Sequence, residues 1–236
     1  LISGQFDFAD SLPVSAYERV EASGKAKAVI YENTGWASLN MNMKEGLLIK
    51  KELRQAVQAA LNPNDMMLAA FSDERFFSVD ASIFPKGSLW YTEAGVARYG
   101  EGDPEEAGKL LADAGYDGTP LRLMTSRQYE FHYNMALVMA EQLKRAGIKP
   151  ELQVVDWATL VQRRNDPKLW DIYVTHSGQF PEPMLSPPQL GDGAPGWWSS
   201  PAKQAALSAF NQEMDPAKRG ALWGKVQQVI YDEVPY

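Results

Sequence analysis

Imidazole is the side chain best placed to move protons or bind metals near neutral pH. This chain of 236 residues carries two, His132 and His176. They fall in different elements and form no H-x-x-x-H or H-E-x-x-H spacing, so a histidine-based metal site is not expected. Cysteine is absent, which removes disulfides, thiolate nucleophiles, zinc fingers and iron–sulfur clusters. There is no G-x-S-x-G elbow and no P-loop. Gly191-Asp192-Gly193-Ala194-Pro195-Gly196 spells G-x-G-x-x-G. Pro187-Pro188 precedes it where a strand is required, and Pro195 removes an amide donor, so it reads as a turn-rich loop. Asp113–Gly118 lacks the third-position ligand and distal Glu of a calcium loop. None of the 30 acids is singled out as a catalytic pair. No cofactor is implied.

What remains is chemistry of recognition. Ligands of open α/β sheets bind beyond the carboxyl ends of the strands. Two stretches follow apolar strand-like runs in this way. Arg127, in Thr125-Ser126-Arg127, offers a planar five-donor fork suited to a carboxylate. Thr175-His176-Ser177-Gly178-Gln179 follows Asp171–Val174. Trp197 and Trp198, in a Gly/Pro-rich loop, could stack on a ligand and donate through their ring N–H groups; Trp36 is a weaker candidate. For the three tryptophans core packing is at least as good a reading, and His132, on a helix face, reads as packing.

These residues need elements to hold them. Leu53, Ala56, Val57, Ala60 and Leu61 form one apolar stripe over Lys51–Leu61. Asn62-Pro63, Asp103-Pro104, Ser200-Pro201 and Asp215-Pro216 each pair a capping side chain with an N1 proline, and Asp156 caps a short helix through Val161. His132, Met135, Ala136, Met139, Ala140 and Leu143 stripe a further helix closed by Gly147. Ala26–Tyr31, Trp36–Met41, Leu121–Met124, Leu152–Val155 and Asp171–Val174 read as strands. From residue 101 the order is helix, strand, helix, strand, helix, strand. This implies an α/β fold with a mostly parallel mixed sheet flanked by helices. Segments 71–100 and 177–200 show no clear period; loops of that length either function or wrap the core.

Composition narrows the class. Apolar residues make up 45% of the chain, enough for a packed core, and the net charge is −7. That balance, with no Lys/Arg cluster, disfavours nucleic acid as a partner. No apolar run is long enough to span a bilayer. The first and last residues, Leu1 and Tyr236, look like cuts within something longer.

Asp103-Pro104-Glu105-Glu106-Ala107-Gly108-Lys109-Leu110-Leu111-Ala112-Asp113-Ala114-Gly115-Tyr116-Asp117-Gly118 resembles the "DPEKAKKLLAEAGY-x-G" segment of the family 5 extracellular solute-binding proteins, the peptide, nickel and opine receptors of ABC importers. Leu1–Ala9, Leu53-Arg54-Gln55-Ala56, Glu141–Ile148 and Val155-Asp156-Trp157-Ala158-Thr159 resemble further family stretches in the same order, and together they cover nearly the whole chain. The resemblance implies a periplasmic-binding-protein-like (type II) fold in which residues 1–236 form one lobe, the second of two, with the first lobe missing. It implies a small-molecule or peptide ligand, ABC importer membrane subunits as partners, and a periplasmic or otherwise extracytoplasmic location, a cell-surface lipoprotein included. In peptide-binding members an Asp near the end of this strand pairs with the ligand's α-ammonium. That position is Gln179 here, and the usual Trp is His176. The substitution implies a ligand without a free α-amino group, or one held mainly by the other lobe. A regulatory sensor built on the same lobe and, less favoured, a hydrolase stay open as alternatives.

Overall fold

The computed structural model describes residues 1–10, 12–32, 34–100, 102–185 and 190–236. Four strands form one sheet in the order β1-β4-β2-β3. They are β1 (Gly35–Met41), β2 (Leu121–Ser126), β3 (Pro150–Val155) and β4 (Ile172–Gly178). β2 runs parallel to both β3 and β4, while β1 lies antiparallel to β4 along all seven residues. Gly35 is required there, since a Cβ would fall 2.7 Å from the Ser177 carbonyl oxygen.

The eight α-helices of the described residues are α1 (Tyr17–Ala22), α2 (Lys51–Ala60), α3 (Pro63–Phe71), α4 (Pro104–Asp113), α5 (Glu130–Arg145), α6 (Trp157–Arg163), α7 (Pro201–Gln212) and α8 (Pro216–Glu233). The expected caps form. Asn62, Asp103, Asp156, Ser200 and Asp215 each accept amide hydrogens from the first turn of their helix, which supplies acceptors for otherwise orphaned donors.

Helix α5 carries β2 to β3, and α6 carries β3 back across β2 to β4. Strand order therefore reverses at β2, and such a switch point opens a crevice at the carboxyl ends of the strands. The stripe of α5 is buried from His132 to Leu143, against Leu123, Ile172 and Val174 and helices α2 to α4. Leu160, Trp170, Met124 and Tyr173 make a smaller core. A third core gathers Phe84, Trp90, Leu190, Trp198, Phe210, Trp223, Val226 and Ile230 from α7, α8 and the long loops.

Both unperiodic segments contribute described residues to this third core: Ile83, Phe84 and Trp90 from the first, and Met184, Leu190 and Trp198 from the second. The buried Gln227 amide holds the first of them: its nitrogen donates to the carbonyls of Thr92 and Ala94, and its oxygen accepts from the Ile83 amide and the Ser82 hydroxyl. The loop at Gly191–Gly196 is a series of turns, as expected. Pro187 and Pro188 lie outside the described residues.

One expected strand is absent. Ala26–Tyr31 has no strand pairing, and Val29, Ile30 and Tyr31 are exposed. Apolar, β-branched sequence favours a strand only where a partner edge exists, and none among the described residues meets this segment.

Candidate ligand-binding rim

Because β1 is antiparallel to β4, its first residues stand beside the last residues of β4. The carboxyl ends of β2, β3 and β4 and the start of β1 thus share one rim. Three segments deliver aromatic rings to it. Tyr129 and Phe131 follow β2, Trp157 follows β3, and His176 belongs to β4. The Tyr129 ring centroid lies 5.0 Å from Trp157 and 4.8 Å from His176, both edge to face, while Trp157 stacks on His176 at 5.8 Å. Such pairs are favourable beyond the area they bury.

His132, read from sequence as packing, is completely buried yet reaches this cluster. Its Nε2 lies 3.0 Å from Nδ1 of His176. Its Nδ1 has no partner, and an orphaned buried acceptor costs less than an orphaned donor. The favoured tautomer therefore donates from His132 Nε2 to His176 Nδ1, and His176 then carries its remaining proton on Nε2. Burial, then the neighbouring His176, holds the His132 pKa down to about 3. His176 is exposed on its outer side, and desolvation at its packed edge lowers its pKa as well. At neutral pH the pair is uncharged.

Next to the aromatic cluster, the backbone of β4 is open on one side. Gln179 donates its amide to Thr34, and Asn42 donates to Asp171. Odd-numbered residues of β4 therefore face β1, and by strand alternation His176 and Gly178 turn their amide and carbonyl groups the other way. Pairing with β2 is confined to Ile172 and Tyr173. Beyond it, among the described residues, no strand takes up His176 and Gly178.

Arg127 stands at the end of β2, as expected, but lies folded over Tyr133. Its guanidinium carbon is 4.4 Å from the ring centroid, and Nη2 donates to the phenol oxygen at 2.8 Å. It is exposed and forms no salt bridge with a described residue. Ser177, on the opposite face of β4 from His176, is half-buried, and Gln179 just past the strand is half-buried.

Trp197 and Trp198, read as ligand contacts or core packing, lie away from this rim. Trp197 stacks on Trp170, which precedes β4, at 5.7 Å, beneath the ammonium of Lys44. The neighbouring Gly196 carbonyl accepts from Met43, just past β1. Both contacts belong to the other end of the sheet. Trp198 is 2% exposed in the third core. Its ring N–H donates to Glu233, and its carbonyl accepts from the buried Lys203 at 2.8 Å. Sequence reading missed Tyr129 and Trp157; the available signal was an aromatic residue within a few positions of a strand's carboxyl end.

The family model for bacterial extracellular solute-binding proteins, family 5 (middle), matches residues 1–197. The chain belongs to this family. The probable peptide ABC transporter periplasmic-binding protein y4tO of Sinorhizobium fredii is 24% identical over the whole chain, which covers 46% of that protein. The substrate-binding protein CtaP of Listeria monocytogenes superposes with a TM-score of 0.81 at 22% identity, over 95% of this chain and 47% of that one. The oligopeptide-binding protein AppA of Bacillus subtilis, solved with a nonapeptide, gives 0.78 at 21% identity, over 95% and 48%. The chain spans about half the length of the curated relatives it matches over its full extent. At these identities the structural likeness speaks for the fold alone.

Proposed function

We propose that residues 1–236 are one lobe of a two-lobed extracytoplasmic receptor. It captures a peptide-like solute and presents it to the membrane subunits of an ABC importer. The reading is of binding, not catalysis. Among the described residues the rim supplies a neutral histidine pair, aromatic faces and free backbone groups, and no nucleophile with an adjacent base. The relatives' naming as peptide transporter components supports the same direction.

The observation that carries the proposal is the open edge of β4 at His176 and Gly178. A peptide-like backbone can add there as a further strand, taking affinity from main-chain hydrogen bonds and selectivity from the flanking Tyr129, Trp157 and His176 rings. Contacts from one lobe are half a site, so binding couples to closure onto the other lobe, with the ligand shifting the open–closed population.

Gly178→Pro in the full-length protein tests this. The Gly178 amide serves no strand, and proline is tolerated on a strand edge whose N–H is unpaired. The melting temperature is expected to change little while calorimetric affinity for the co-purifying solute falls about tenfold or more. Unchanged affinity removes strand addition. Sub-micromolar binding by residues 1–236 alone overturns the half-site.

A further inference from the structure

Two side-chain donors at the same end of the sheet have no acceptor among the described residues. Trp36 Nε1 and Gln179 Nε2 are both sealed from bulk water and both unpartnered. Their positions are linked by register. Trp36 lies opposite Ser177, and Gln179 donates its amide to Thr34 two residues before Trp36. They are diagonal neighbours on one face of the β1–β4 ribbon, within reach of a shared group. Trp170 and Trp223 also carry unpaired ring N–H groups, but they are fully enclosed in cores, whereas Trp36 and Gln179 are half-buried at the rim.

The Trp36 ring packs 5.7 Å from Tyr236. The Tyr236 hydroxyl is likewise unpartnered, and burial raises its pKa far above the ordinary phenol value, so it too remains a donor. On the other face of the ribbon, His176 presents an N–H by the tautomer argued above, and Arg127, at the end of β2, forms no salt bridge with a described residue. Three acids on neighbouring segments are accounted for. Glu182 is paired with Arg219 at 2.8 and 3.2 Å, the Asp156 carboxylate caps α6, and Glu130 sits in the first turn of α5.

An indole N–H cannot accept a hydrogen bond, and a buried donor left unpaired is costly. We propose that Trp36 and Gln179 form a donor subsite for an oxygen acceptor on the solute. The end of the ligand that meets this lobe is then an acyl carbonyl or a carboxylate, not an ammonium. The inference rests on the proposed receptor role and adds the polarity of the recognised group.

The test offers the full-length, ligand-stripped protein three versions of one tryptic peptide mixture: untreated, N-acetylated and N-succinylated. Bound species are quantified by mass spectrometry. Retention of a modified mixture at least tenfold above the untreated one is expected. Acetylated peptides leading would identify a neutral carbonyl as the acceptor, and succinylated peptides leading a carboxylate. Trp36→Phe and Gln179→Met should each lower that retention about 3- to 30-fold at unchanged melting temperature, and Gln179→Asp, which replaces the donor with an anion, should shift retention toward the untreated mixture. Equal or greater retention of the untreated mixture overturns this inference and leaves the receptor reading standing. No retention from any mixture removes the peptide-like reading and this inference with it.

Discussion

His132 Nε2 and His176 Nδ1 face each other at 3.0 Å, one imidazole sealed inside the protein and the other open to solvent on its outer side. The hydrogen bond needs at least one neutral ring, and protonating both would bring two N–H groups and two charges together. Burial adds a larger penalty on the inner ring, whose folded pKa lies near 3.

This pair makes the fold acid-sensitive. Both rings have folded pKa values below the ordinary 6.5, so the unfolded chain binds more protons as pH falls. The stabilisation is complete above about pH 6.5 and is lost progressively toward pH 3. For His132 alone the loss between pH 6.5 and 5 is on the order of 1–2 kcal/mol. Thermal melts at pH 7 and pH 5 should show a lower melting temperature in acid, and His132→Phe should shrink that difference. An unaltered pH slope in the variant would exclude the pair as its source.

Arg54 joins the end of the last helix to the first half of the chain. It is buried, and it donates to the carbonyls of Glu233 at 2.8 Å, Leu48 at 2.8 Å and Ile49 at 3.0 Å. Truncation strands three acceptors, that of Leu48 in a buried bond and the other two in part-buried ones. Arg54→Leu should cost about 3–5 kcal/mol in denaturant unfolding, and Arg54→Lys should recover only part of it, because one ammonium cannot span all three directions.

Gln227 gives a separate measure of the loop it holds. Gln227→Leu keeps the volume but leaves the Ser82–Ala94 groups without their four bonds. A loss of about 2–3 kcal/mol is expected, with faster proteolytic cleavage within residues 82–94 than elsewhere.

The helix boundaries were legible because their determinants are local. Asn62-Pro63, Asp103-Pro104, Ser200-Pro201 and Asp215-Pro216 carry cap and first turn in adjacent residues. The stripe from His132 to Leu143 announced its own buried face. What sequence could not show was pairing across distance. Val29, Ile30 and Tyr31 look like a strand, yet strand formation depends on an edge elsewhere. His132 is buried, as its packing reading had it, but its partner lies 44 residues on and arrives only through two crossovers. Trp197 and Trp198 were singled out by residue type, with packing as an equal reading; where the loop bearing them returns to the sheet is a matter of topology.

The unfilled backbone positions of β4 have a consequence outside recognition. Free amide and carbonyl groups along a strand attract any extended chain, including another copy of the same protein. Gly178 offers no side chain to obstruct such contact. The edge proposed to take up a solute is thus also the point where concentrated, empty protein would begin to self-associate, with occupancy as its safeguard during purification and storage.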